Sequence, residues 1–276
     1  MSVGHRATFI LILLLTALSL GMAMPEVQRN SDAPQSLIRE ERTVSIRGTT
    51  ETWRLQWKSP PKLECPPAKE VSFTCPCEPF AYAESGELDL VRLRNGAEVE
   101  RFSLGQMFDA FEPGKAAVQR WPVLNSDMKN ATSHAKDETW QLAEAERIQK
   151  RATVQIMKLG DYNHDGNAAE FFLPTTSVPC GKSAGVVMGV GVDSRLHAIG
   201  TLVNPDTPLL LKKMEWDALL KSGGLQTVSD WACGDHGAEE AVDLELQATR
   251  RGISVTEKHY RCPRAGKGNL IRSVDR

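Results

Sequence analysis

The sequence predicts a mainly β protein, built of antiparallel hairpins with one or two short helices and braced by disulfides. Three observations predict it. Apolar and polar residues alternate over 52–58 and 242–249, the period of a half-buried strand. Asn95-Gly96 separates two further runs and supplies the pair that a type I′ hairpin turn needs at positive φ. The six cysteines Cys65, Cys75, Cys77, Cys180, Cys233 and Cys262 all follow an apolar leader. An even number in an exported chain reads as a disulfide framework.

The leader opens the chain. His5 and Arg6 precede an unbroken apolar run over 9–20, and the small residues Gly21 and Ala23 follow. This is the pattern of a secretory signal, here cut after Ala23, and it places the protein in a secreted or periplasmic compartment. The run is shorter than the roughly 20 residues that span a bilayer. The remainder is therefore not expected to be an integral membrane protein. Residues 24–42 are polar with scattered charges and read as a flexible leader. Residues 43–276 form the main unit, with the polar stretch 125–136 suggesting two lobes that meet near 130.

Within the main unit Trp53, Leu55 and Trp57 mark the first strand, and Pro60, Pro61, Pro66 and Pro67 interrupt regular structure around Cys65. A hairpin is expected over 88–104. Residues 137–151 suit a helix, with Glu146 and Lys150 at i,i+4, although the alternation of Trp140 and Leu142 also suits a strand. Val154, Ile156 and Leu159 read as a strand, as do Val186, Val187, Val190 and Val192. Residues 214–221 carry apolar side chains at one-turn spacing, Glu215 early, Lys221 late and Gly223-Gly224 as a stop, which predicts a helix. Near the C-terminus the 242–249 strand turns at Arg251-Gly252 into a partner containing Ile253 and Val255.

Composition narrows the function classes. The 276 residues carry a net charge of −2, with 41% hydrophobic and 25% charged residues. This excludes a collagen-like repeat, low-complexity disorder and a multi-span membrane protein. With 33 Lys and Arg against 35 Asp and Glu, no basic excess marks a nucleic-acid or anionic-membrane partner. The six tryptophans suit core packing better than a carbohydrate platform.

Cys75-Pro76-Cys77 is too tight to bridge to itself, so each is expected to pair elsewhere, with Cys65 the nearest candidate. At least one bridge should tie the two halves together. A thiolate metal site and a redox Cys-x-Cys pair are the alternatives; only the first cluster approaches zinc spacing.

The central motif runs Gly160-Asp161-Tyr162-Asn163-His164-Asp165-Gly166-Asn167-Ala168-Ala169-Glu170 between apolar flanks. Oxygen side chains at every second position, followed by Gly, let a tight loop aim several ligands at one centre. Calcium takes about six to eight hard oxygens in such a site. Asp161, Asn163 and Asp165 would give side-chain oxygens, Asn167 its carbonyl and Glu170 a closing carboxylate. The alternative is a turn without an ion, since Asn, Asp and Gly all favour turns. The run from Gly160 to Gly166 resembles the calcium loop of FG-GAP/VCBS repeats, which implies a loop between two strands of a secreted β protein. Two features depart from known loops: Ala169 stands where the repeat has its closing Asp, with Glu170 one position later, and Phe172 replaces the final Glu of an EF-hand. One clear copy cannot build a propeller. An echo at Gly234-Asp235-His236-Gly237 lacks the alternating oxygens and reads as a solvated turn.

Gly181-Lys182-Ser183-Ala184-Gly185 spells a nucleophile-elbow string, and His236 and Asp193 complete a triad on paper. An elbow must follow a strand and open a helix, whereas a Pro-Cys turn precedes this string and a valine-rich strand follows it. The sequence therefore points to an exported binding or structural module of unnamed ligand with a candidate calcium loop. A secreted hydrolase built on Ser183 or the loop carboxylates is the alternative.

Overall fold

The computed structural model describes residues 37–64, 82–108, 112–124, 126–127, 133–134, 137–178, 182–263 and 266–276. In chain order the first half carries β1 (Leu37–Ile46), β2 (Thr49–Trp57), β3 (Lys62–Glu64), β4 (Ala83–Gly86), β5 (Leu88–Arg94), β6 (Ala97–Ser103), β7 (Ala116–Gln119) and helix α1 (Glu138–Gln149). The second half carries β8 (Phe171–Val178), β9 (Lys182–Val190), β10 (Leu196–Ala198), β11 (Leu211–Lys212), helix α2 (Lys213–Lys221), β12 (Gln226–Trp231), β13 (Glu240–Thr249), β14 (Gly252–Arg261) and β15 (Leu270–Asp275). The strands form four sheets, ordered β1-β2-β5-β6, β3-β4-β7, β12-β13-β14-β15 and a fourth centred on β9. The protein is mainly β, and its named strands pair antiparallel.

The hairpins form where the sequence places them. In β2 the period-2 pattern buries Glu51, Trp53, Leu55 and Trp57 on one face. Asn95 and Gly96 join β5 to β6 at φ 51° and 80°, and Arg47-Gly48 joins β1 to β2 at φ 49° and 80°. A two-residue connection with both φ positive matches strand twist. Strands β13 and β14 pair along their whole length, from Glu240↔Arg261 to Thr249↔Gly252.

Three local expectations change. Residues 37–42, read as part of a flexible leader, are the first half of β1. Their charges are paired rather than solvated: Arg39 meets Glu84 with both side chains buried, and donates to the carbonyls of Gln119 at 3.1 Å and Val154 at 2.9 Å. Residues 152–159 are not a strand. The Glu40 carboxylate accepts from the N–H groups of Ile156 at 2.7 Å and Met157 at 3.1 Å, taking donors a ladder would need. Val192 lies beyond β9 and is 71% exposed. The 137–151 segment resolves as a helix, with the Asp137 carboxylate accepting from the N–H of Trp140 at 3.0 Å.

The core lies on both sides of the β8–β9 pair. Phe171, Leu173, Val186, Met188 and Val190 face a cluster with Trp53, Leu55, Leu88 and Leu90. Phe172 and Val187 face a second cluster with Trp216, Leu219, Leu244, Leu246 and Ile253. A sheet covered on both faces reads as a near-continuous apolar run, which is why 184–190 shows no alternation. The core thus divides along β8–β9, and Ser36–Arg276 is one compact unit. Among the described residues no helix is long and apolar enough to cross a membrane.

Cys233 and Cys262 form a disulfide with Cα atoms 5.4 Å apart, joining the chain after β12 to the chain after β14. It lies wholly in the second half. Cys65, Cys75, Cys77 and Cys180 lie outside the described residues, as do the signal-like segment 1–23 and the rest of the polar leader up to residue 36.

Candidate functional site

The central loop is pinched at its base and folded by its own side chains. Gly160 and Glu170 exchange backbone hydrogen bonds of 2.8 and 3.1 Å, closing the loop just before β8. Inside it, Asp161 accepts from the N–H groups of Asp165 and Gly166, both at 3.0 Å. Asn163 Oδ1 accepts from Asp165 N–H at 2.9 Å, and Asp165 Oδ1 from Asn167 N–H at 2.8 Å. These bonds require a sharp reversal, with His164 at φ 54° and Gly166 at φ 94°. Asp161, Asn163 and Asp165 therefore gather over one turn.

The other two expected ligands are also tied to the loop and its surroundings, Asn167 Nδ2 donating to Asp165 Oδ1 at 2.9 Å. Asn167 Oδ1 accepts from the N–H of Arg47 at 3.0 Å, tying the loop to the β1–β2 turn. Glu170 is 2% exposed, and its Oε2 accepts from Tyr162 N–H at 2.8 Å. Burial pushes its carboxyl up to about 8; the Tyr162 bond opposes the shift, while the Asp165 and Asp161 charges add to it. A Cβ on Gly189 would stand 2.5 Å from the Glu170 Cγ, so β9 passes this carboxylate with room only for hydrogen. Among the described residues no group of three or more His, Cys, Asp or Glu side chains stands ready to hold a metal. The loop carboxylates are engaged with backbone N–H groups.

The loop is anchored at a third point. The His164 ring nitrogen Nε2 lies 2.6 Å from the carbonyl oxygen of Leu219 in α2, and Tyr162 packs edge-on against the buried Trp216. Leu220 of α2 also packs close to the loop base, its Cδ1 standing 2.6 Å from where a Cβ on Gly160 would lie.

Beside the loop opens a cleft of about 240 Å³, lined in part by Asn163, Asp165, Asp193, His197, Asp206, Arg250 and Arg251. Loss of solvent around the His197 imidazole holds it below the ordinary histidine range, against the opposing charges of Asp193 and Asp206. Apart from Asp193, these contributors from 191–206 and the β13–β14 turn are missed in the sequence. They come from separate elements, His197 in β10 and Arg250-Arg251 in the β13–β14 turn, and no spacing links them.

Ser183 does not occupy an elbow. It lies within β9 opposite Ser177, and Asp193 follows the far end of that strand, roughly 23 Å away at 3.3 Å per residue. The Gly234–Gly237 echo is a short 3₁₀ turn over Asp235–Gly237. Trp53, Trp57 and Trp216 are core residues.

Comparison of the chain with protein-family models, with curated proteins and with solved structures gives no match.

Proposed function

We propose that the chain is an exported binding or structural module whose central loop takes a calcium ion. The observation that carries this reading is the gathering of Asp161, Asn163 and Asp165 over one turn, with the buried Glu170 behind them. A carboxylate oxygen that accepts one N–H keeps a second lone-pair direction for a cation. Calcium tolerates irregular oxygen shells at about 2.3–2.6 Å. Its charge would offset the mutual repulsion of three carboxylates and favour the ionised form of Glu170. The likeness of this loop to the FG-GAP/VCBS calcium loop supports the same assignment. Export is supported by the leader pattern and by the Cys233–Cys262 bridge, which suits an oxidising compartment.

Thermal melting in millimolar calcium, in magnesium and in chelator tests the reading. Extracellular calcium modules bind with constants of about 0.1–1 mM. A tenfold excess over such a constant stabilises by about 1.4 kcal/mol, or a melting shift of about 3–6 °C for a chain of this size. The shift should vanish in Asp165→Ala and be smaller with magnesium, which prefers a tight octahedral shell. Superimposable curves in all three buffers would leave a turn that needs no ion.

A further inference from the structure

We propose that the cleft between the central loop and the β13–β14 turn binds a small zwitterion, of the class of an amino acid or dipeptide. The proposal gives the binding-module reading a ligand class and rests on that reading, but not on calcium.

The charge distribution carries it. Several arginines elsewhere are paired within the protein: Arg54, Arg92, Arg101, Arg147 and Arg151 each meet a carboxylate. Arg250 and Arg251, in the β13–β14 turn, line the cleft and form no ion pair among the described residues. Asp193 and Asp206 line the same cleft and likewise meet no described cation. Both signs thus face one space without neutralising each other. A lone anion entering it would meet the aspartates, including Asp165, and a lone cation would meet the arginines. A molecule carrying both charges satisfies the two sets of side chains together. Its carboxylate suits the guanidinium fork through charge-assisted hydrogen bonds, and its ammonium suits the carboxylates. Rejection of singly charged molecules follows from the same arrangement.

The walls are held before any ligand arrives. Arg251 N–H donates to Thr249 Oγ1 at 3.3 Å, and Thr249 Oγ1 donates to the Gly252 carbonyl at 2.8 Å, fixing the arginine turn. Ile253 N–H donates to Gly200 O at 3.2 Å and Leu202 N–H to Ile253 O at 3.0 Å, joining that turn to the segment leading to Asp206. Asp193 is set by its bond from Arg195 N–H at 3.0 Å. A Cβ on Gly191 would lie 2.8 Å from His197 Nε2 and 2.9 Å from Asp193 Oδ1, so these two groups converge over bare backbone. Walls held in this way lower the ordering cost of binding. The volume of about 240 Å³ falls below the roughly 300–1,000 Å³ of drug-sized sites, which suits a ligand of one or two residues.

The test is calorimetric titration of the chain with alanylalanine, N-acetyl-alanylalanine and alanylalanine amide, all in chelator. The free dipeptide should saturate one site, and each capped form should bind at least tenfold more weakly. Arg250→Gln/Arg251→Gln should weaken the free dipeptide at least tenfold, and so should Asp193→Asn/Asp206→Asn, in which the acceptor for Arg195 is kept. Melting points should stay at the parent value, because these side chains sit at the rim. Absence of saturable binding, equal binding of free and capped forms, or full affinity in both variants would each overturn the proposal. The melting shift with calcium is read separately, so either idea can fail alone.

Discussion

Glu51 is a single charge enclosed by its partners. Its side chain is fully buried, and Arg92, itself 4% exposed, meets it at 2.7 Å while Arg94 meets it at 2.8 Å. Burial works against the charged carboxyl, but the bonds from Arg92, Arg94 and the Trp53 indole outweigh it and leave its pKa lowered. Removing Glu51 leaves the half-exposed Arg94 in water but the buried Arg92 with Glu100 as its remaining carboxylate, and breaking such a buried pair costs about 3–5 kcal/mol. Glu51→Gln should lower unfolding stability by that order at neutral pH, measured by urea denaturation. The pH dependence has a definite sign. Because the folded pKa lies below the unfolded value of about 4.3, the contribution is complete above that pH and is lost as pH falls through the folded pKa. The gap between parent and variant should therefore narrow in acid, and a constant gap down to pH 3 would contradict the pairing. The period that buries Trp53 also carries Glu51 inward, so its position was readable. Its partners on β5 were not, because charge pairing across strands leaves no mark on a one-dimensional pattern.

At the scale of elements, strands with one solvated face were legible and elements held by side-chain bonds were not. Strands β2 and β13 announce themselves by alternation, and the Asn95-Gly96 turn by its residue types. Strand β1 hides because its half-buried charges read as solvent-exposed. Residues 152–159 mislead in the other direction: apolar letters at strand spacing end as an irregular segment held by Glu40. That clamp yields a prediction. Glu40→Ala leaves the N–H groups of Ile156 and Met157 without their carboxylate, at about 1–3 kcal/mol for each group left unsatisfied. Hydrogen exchange should accelerate at these two amides well before the β13–β14 hairpin is affected. Unchanged protection there would show that packing alone holds the segment. The oxygen spacing of the central loop was legible; the bond of Asn167 with Arg47 and the enclosure of Glu170 depend on neighbours far along the chain.

At the scale of the whole molecule, a covalent tie and a shared sheet hold the described residues of the second half in place. The Cys233–Cys262 bridge closes a loop of sequence separation 29, which by chain entropy stabilises by about 3–4 kcal/mol. Cys233→Ser/Cys262→Ser should lose that amount in urea denaturation, and an unchanged midpoint would show the crosslink to be idle. The shared sheet acts differently. The two faces of β9 differ in size rather than polarity: Val186, Met188 and Val190 alternate with Gly185, Val187 and Gly189. Polarity therefore cannot set the register of this strand, since either face is apolar enough for either cluster. Shape does it instead. A slip by one residue would carry a side chain to the place where Gly185 passes the Leu173 carbonyl, 2.1 Å from a Cβ, or where Gly189 passes Glu170. The glycines work as the notches of a key, admitting β9 in one alignment and so deciding which residues each of the two cores receives.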